Sequence, residues 1–298
     1  MNKFLNNPEP SILMALNTES KIINVYESQY EKEALELYIN MSDSTQLRVL
    51  QTFAPKETSN GFTLLIVAGW GSVVLGWEEV LLEAMKDFDV VYLETREKHS
   101  SKLSERSKFG IDRMSDDIRE TILQLGIEEN KLILLGSCMG ATLIAHGLAY
   151  KKYNPFLSVL IAPPPRFEMP PFTRYLVSIA PVWLFERLKP LLKNWVQKKS
   201  ESPEQAAKYI RVLDEAEGKK WKKVGKPIAR PKYWHIFPKI SSKVLLISAE
   251  QDKMHNAKIT QKIEDMIPDA IYRDLGTNHN THAPILVETV REVLKDLK

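Results

Sequence analysis

Several short stretches of this chain are apolar from end to end, and that narrows its possible folds more than any other feature. Residues 62–67, 90–93, 131–135, 156–161 and 244–248 are dominated by Val, Ile, Leu and Phe and show little alternation with polar residues. A strand of this kind has both faces buried, so helices must cover both sides of the sheet it belongs to. Helical spacing appears between the runs. It covers residues 76–86 and 141–150, and residues 111–125, where Met114, Ile118, Ile122 and Leu125 share one side. Alternation of β and α units predicts a mostly parallel sheet flanked by helices. Before it, residues 22–26, 35–39 and 47–53 read as shorter strands rich in β-branched and aromatic residues.

The alternation breaks off for about 70 residues and then resumes. Residues 163–238 open on Pro163, Pro164 and Pro165 and carry no convincing buried strand, only helical stretches at 175–196 and 203–217. Beyond them, residues 244–248 and 271–275 read as strands, and 257–267 and 286–297 as helices. The expected organisation is a core sheet in residues 1–162, a helical cap in 163–238 and a second part of the core in 239–298.

Composition removes several classes of function. A single cysteine excludes an internal disulfide and suits a reducing compartment. A net charge of +3 is too small to argue for nucleic acid. No run of 18 or more apolar residues is present, so no transmembrane segment is expected. The first twenty residues lack the apolar core of a signal peptide, and a cytoplasmic location is the expectation. No cofactor or metal motif is found.

The chemistry concentrates where the run at 131–135 ends. Gly136-Ser137-Cys138-Met139-Gly140 leads directly into a helical pattern, which is Gly-x-nucleophile-x-Gly in a strand–turn–helix setting. A side chain displayed on so sharp a turn needs small residues two places to either side. The helix N-terminus that follows carries positive partial charge, which favours a thiolate. A lone cysteine is often only a small buried hydrophobe. Two flanking glycines in a chain with only 12 weigh against that reading here.

With this motif the chain resembles the α/β-hydrolase superfamily over about residues 62–297, the cap excepted. Most members have serine at the position of Cys138. A cysteine there resembles dienelactone hydrolases, and also polyhydroxyalkanoate synthases, whose elbow is similar to GSCMGATL. The resemblance implies an α/β-hydrolase fold and a nucleophile–acid–base order met by Cys138, Asp252 and His279. His282, three residues on, competes for the role of base, and Glu250 for that of acid. His146 reads as a packed helix residue and His255 as a loop residue near the site. The resemblance also implies two oxyanion donors. One is the amide of Met139. The other comes from the loop Ala68-Gly69-Trp70-Gly71-Ser72, as Trp70 or Gly71, where the His-Gly of many members is absent.

The implied activity is cleavage of esters or thioesters through an acyl-cysteine. Acyl transfer is the alternative, and a non-catalytic binding protein of the same fold is a second. Large apolar residues in the cap, Phe172 and Trp183 among them, suit a lid over an acyl pocket or a self-contained helical core. Between Glu186 and Lys232, 14 Lys and Arg stand against 6 Asp and Glu. That surplus suits an acidic partner such as coenzyme A or an acyl carrier, or simply a solvated lysine-rich surface.

Overall fold

The computed structural model describes residues 28–167, 181–199, 203–229, 231–251 and 257–297. In chain order the elements are α1 (Gln29–Glu33), β1 (Leu35–Asn40), β2 (Gln46–Thr52), β3 (Thr63–Val67), α2 (Glu78–Ala84), β4 (Asp89–Leu93), α3 (Ile111–Gln124), β5 (Leu132–Ser137), α4 (Met139–Ala149) and β6 (Leu157–Ile161). Three helices follow, α5 (Val182–Lys199), α6 (Pro203–Glu215) and α7 (Gly218–Ile228). The chain closes with β7 (Val244–Ser248), α8 (Ala257–Glu264), β8 (Ile271–Asp274) and α9 (Pro284–Leu297).

The strands form one sheet in the order β1-β2-β4-β3-β5-β6-β7-β8. β2 runs antiparallel to both its neighbours, and β3 to β8 are parallel. Alternate residues of each buried strand feed opposite faces. Leu65 and Val67 join Met114, Ile118 and Ile144 from α3 and α4 on one side. Leu64 and Ile66 join Val80 and Leu81 of α2 and Val287 and Val290 of α9 on the other. Every residue of α4 is buried, the polar Thr142 and His146 included, so the helix presents no solvent-facing stripe.

Two short elements have causes that the sequence reading passed over. Ser28 caps α1, its hydroxyl accepting the Glu31 N–H at 3.1 Å, in a Ser-x-x-Glu arrangement. Helix α7 occupies the lysine-rich stretch treated above as surface charge. Its spacing buries Val224 and Ile228 and half-buries Trp221. The strand expected at 22–26 lies outside the described residues, as do the first residues of the helical stretch expected at 175–196.

A buried ionic knot fixes the loop after β4. The Arg96 side chain has no exposed surface, and all its N–H groups face acceptors. Nε and Nη2 each donate to the Asp117 carboxylate at 2.6 Å, and Nη1 donates to Asp43 at 2.6 Å and to the Lys108 carbonyl at 2.8 Å. Burial opposes ionisation of Asp43, but Arg96 and the Lys108 amide outweigh it and hold the carboxyl well below its usual range. Removing the arginine would leave Asp43 buried without a cation and Asp117 with Arg113 alone. Arg96→Met is expected to cost about 3–5 kcal/mol, which lowers the melting temperature by about 10 °C in a chain of this size. Adding Asp43→Asn should recover part of the loss in thermal and urea melts.

Candidate active site

β5 ends at Ser137 and α4 starts at Met139, leaving Cys138 alone to make the turn. Cys138 has φ 48° and ψ −113°, a left-handed conformation that a non-glycine residue adopts only under constraint. The constraint is visible. Its N–H donates to the Ile161 carbonyl at 2.9 Å, and its own carbonyl accepts the Thr142 N–H at 3.1 Å. Thr142 Oγ1 in turn donates to the Pro164 carbonyl at 3.1 Å. Cys138 as a residue is half-buried, and it is the free cysteine of the chain.

The flanking glycines are there for space. A methyl group on Gly136 would stand 2.7 Å from the Ala141 nitrogen and 2.8 Å from Ile144 Cδ1. One on Gly140 would run into the Val67 carbonyl at the end of β3. Helix α4 therefore starts against the neighbouring strand, and the cysteine stands clear at their junction.

The loop after β3 lies against this turn. A Cβ on Gly69 would be 3.4 Å from Cys138 Cβ. Among the described residues, the N–H groups of Trp70, Gly71 and Met139 have no backbone acceptor. α7 covers the loop from outside. Trp221 meets Trp70 edge-on with ring centroids 5.6 Å apart, and a Cβ on Gly71 would be 3.2 Å from its indole. Trp221 is a contact that charge counting missed, although its spacing with Val224 and Ile228 was readable.

The two histidines of the last loop differ. His279 is exposed, and among the described residues its ring takes part in no hydrogen bond or ion pair. His282 is half-buried and packs on Trp77, with ring centroids 4.5 Å apart. Trp77 has no exposed surface and donates to Ser72 Oγ at 3.0 Å, so His282 connects to the far end of the Gly69–Ser72 loop. Thr281 Oγ1 donates to the Asn278 carbonyl at 2.8 Å. His282 Nδ1 lies 2.9 Å from that hydroxyl and 3.2 Å from the same carbonyl.

Of the two acids, Asp252 lies outside the described residues, as does His255. Glu250 is exposed, and its amide donates to Asp274 Oδ1 at 3.0 Å. Asp274 also accepts the Gly276 amide, which ties the loops after β7 and β8 together. Among the described residues no group of three His, Cys, Asp or Glu side chains is placed to hold a metal.

His146 packs inside α4. Ser115 Oγ lies 2.7 Å from the Asp112 carbonyl and 3.0 Å from His146 Nδ1. Burial, with the Lys152 ammonium adding to it, pushes the imidazole down to about 4 from its ordinary 6.5. The unfolded chain takes up this proton below pH 6.5 and the folded chain only near pH 4. Stability tied to His146 is therefore complete above pH 6.5 and is lost as the pH falls towards 4. His146→Gln should give a shallower fall of melting temperature over that interval.

Strand order, the turn at Cys138 and the helices on both faces together make this an α/β-hydrolase fold, and solved structures agree. An esterase from Rhodococcus sp. ECU1013 superposes with a TM-score of 0.69 at 17% identity, over 89% of this chain and 100% of that one. An esterase from Exiguobacterium antarcticum gives 0.69 at 15%, over 88% and 99%. The enol-lactonase from Burkholderia xenovorans LB400 gives 0.67 at 14%, over 88% and 99%. No protein-family model and no curated relative matches the chain in sequence. Among the described residues no helix is long and apolar enough to cross a membrane.

Proposed function

We propose that this protein is a hydrolase of esters or thioesters that works through an acyl-Cys138 intermediate. The observation that carries the reading is the conformation of Cys138, a half-buried residue held at positive φ between Gly136 and Gly140. Strain of this kind costs about 1–3 kcal/mol and persists where a side chain must be displayed. The esterases and the lactonase of similar fold lend the reaction class further support.

In the proposed cycle the sulfur attacks the substrate carbonyl as its proton passes to a histidine. The carbonyl π pair moves onto oxygen, where the amides of Met139 and of Trp70 or Gly71 receive it. The pair returns, the bond to the leaving group breaks, and the histidine protonates that group. Water then attacks the acyl-cysteine, giving a proton to the histidine. The carbon–sulfur bond breaks, the acid departs and the thiol is restored. His279 is the proposed base and Asp252 the carboxylate that orients it. Among the described residues the ring of His279 makes no hydrogen bond, which fits a base that tightens onto its partners only with substrate bound.

His282 is a second reading for the base, favoured by its packing on Trp77 and by contacts of Nδ1 with Thr281 and the Asn278 carbonyl that hold the ring in place. Acyl transfer is a second reading for the reaction, because an acyl-cysteine is itself a thioester and exchange with another thiol is nearly balanced. The cationic surplus of the cap suits coenzyme A or an acyl carrier as that partner. A lone reactive thiol suits the reducing cytoplasm.

Intact-mass analysis with a panel of acyl esters and acyl thioesters tests the proposal. A mass gain located on Cys138 is expected, and Cys138→Ala should lower turnover by about 10⁴-fold or more. Full activity of Cys138→Ala on every substrate of the parent would overturn it. His279→Ala should be nearly as damaging, and Asp252→Asn less so. The reverse order for the histidines, with His282→Ala the severe variant, gives the role to His282. Deacylation speeded by added thiols but not by water identifies a transferase.

A further inference from the structure

We propose that Lys98 is a positioning residue for the oxyanion site, holding the Gly69 carbonyl so that the Trp70 N–H is presented to the carbonyl oxygen at Cys138. The proposal rests on the acyl-cysteine reading above and names a part of the machinery that the reading does not contain.

Lys98 lies in the loop after β4, two residues beyond the Arg96 knot. Its side chain is only 4% exposed. Nζ donates to the Gly69 carbonyl at 2.8 Å and is 3.0 Å from Glu97 Oε1, on a carboxylate with no exposed surface. Thr95 Oγ1 donates to the same Glu97 oxygen at 2.8 Å. The Ser72 N–H also reaches the Gly69 carbonyl, at 3.2 Å. Two donors therefore meet on one carbonyl, and one of them is a buried ammonium.

Peptide geometry turns this into a statement about Trp70. The peptide bonds of the described residues are trans. In a trans unit the C=O and the following N–H point in opposite directions. Lys98 and Ser72 take the Gly69 oxygen on one edge, and the Trp70 N–H stands on the other. Gly69 lies against the Cys138 turn, and among the described residues that N–H has no backbone acceptor. An oxyanion donor acts through its preorganised direction, since a dipole that has to turn during the reaction loses its advantage.

Stability alone is a poor reason for such a lysine. Burying an ammonium costs several kcal/mol before pairing offsets it, and the Gly69 carbonyl already has a backbone donor in Ser72. The arrangement is braced from outside as well. Lys220 Nζ on α7 donates to the Lys98 and His99 carbonyls at 3.1 and 2.6 Å, while Trp221 bears on Gly71. The loop carrying Trp70 is clamped between a buried cation and the cap.

The test uses two probes of Cys138, of which one passes through an oxyanion. p-Nitrophenyl acetate acylates the thiol through a tetrahedral oxyanion, whereas iodoacetamide alkylates it by displacing iodide and forms none. The variants are Lys98→Met, and Lys98→Met with Glu97→Gln so that no carboxylate is left buried and unpaired. Acylation should slow about 10- to 100-fold in both, somewhat less than direct loss of an oxyanion donor, while alkylation stays within about twofold. Hydrogen exchange in a peptide spanning residues 68–73 should quicken. Acylation at the parental rate overturns the proposal, and so does an equal slowing of both reactions, which marks a general disturbance of the turn. If the parent itself gains no acetyl group on Cys138, the acyl-cysteine reading fails. The exchange measurement then still reports whether Lys98 holds the loop.

Discussion

The contact on which the rest of this structure depends is the near-collision of α4 with the end of β3. Gly140 sits where any side chain would strike the Val67 carbonyl. Because the helix starts so close to the strand, the residue before it cannot relax, and Cys138 is left at positive φ. The ends of neighbouring strands then converge on that residue. β6 supplies the carbonyl that takes its N–H, and β3 supplies the loop that lies against its side chain. Strain is affordable here because an entirely buried helix and a continuous sheet over-determine the turn.

A second tier of organisation comes from buried charge. Replacing a buried ion pair with well-packed apolar residues is often neutral or stabilising, so such pairs seldom persist for stability alone. The Arg96 knot joins the loop after β4 to Asp43 near β1 and to Asp117 in α3, and it is the buried centre of a polar seam that Ser42, Arg113 and Glu120 continue at the surface. Directional bonds give that loop one conformation, and the backbone after Arg96 carries Glu97 and Lys98 to the edge of the proposed site.

Much of the fold was legible because its signals are local and repeated. Apolar runs at 62–67, 131–135 and 244–248 became β3, β5 and β7 with boundaries shifted by at most two residues. The cysteine turn was legible because steric exclusion demands glycine at fixed spacing. Helix α7 was overlooked because its lysines drew attention from the spacing of Trp221, Val224 and Ile228, and α1 because a five-residue helix has almost no periodicity to show. The choice between His279 and His282 has no sequence signature. Both lie on a loop, and what separates them is Trp77, some two hundred residues away in the chain. Lys98 was invisible for a similar reason, since its acceptor is a backbone carbonyl and carbonyls are the same in every residue.

The helices between β6 and β7 meet the core in an unusual way. Trp221 is their wedge, but much of the rim is ionic. Arg211 pairs with Glu31 at 2.6 Å, Lys208 stands 3.7 Å from Glu79, and Glu217 meets His99 at 2.7 Å. A seam of this composition has more in common with a transient interface between two proteins than with the interior of one. Its strength then varies with the solvent. The screening length shrinks from about 8 Å at physiological ionic strength to about 3 Å in molar salt, which leaves the apolar interior untouched but weakens a partly exposed seam. Electrolyte concentration thus becomes a dial on how firmly these three helices are seated on the sheet, acting on that seam without reaching the core beneath it.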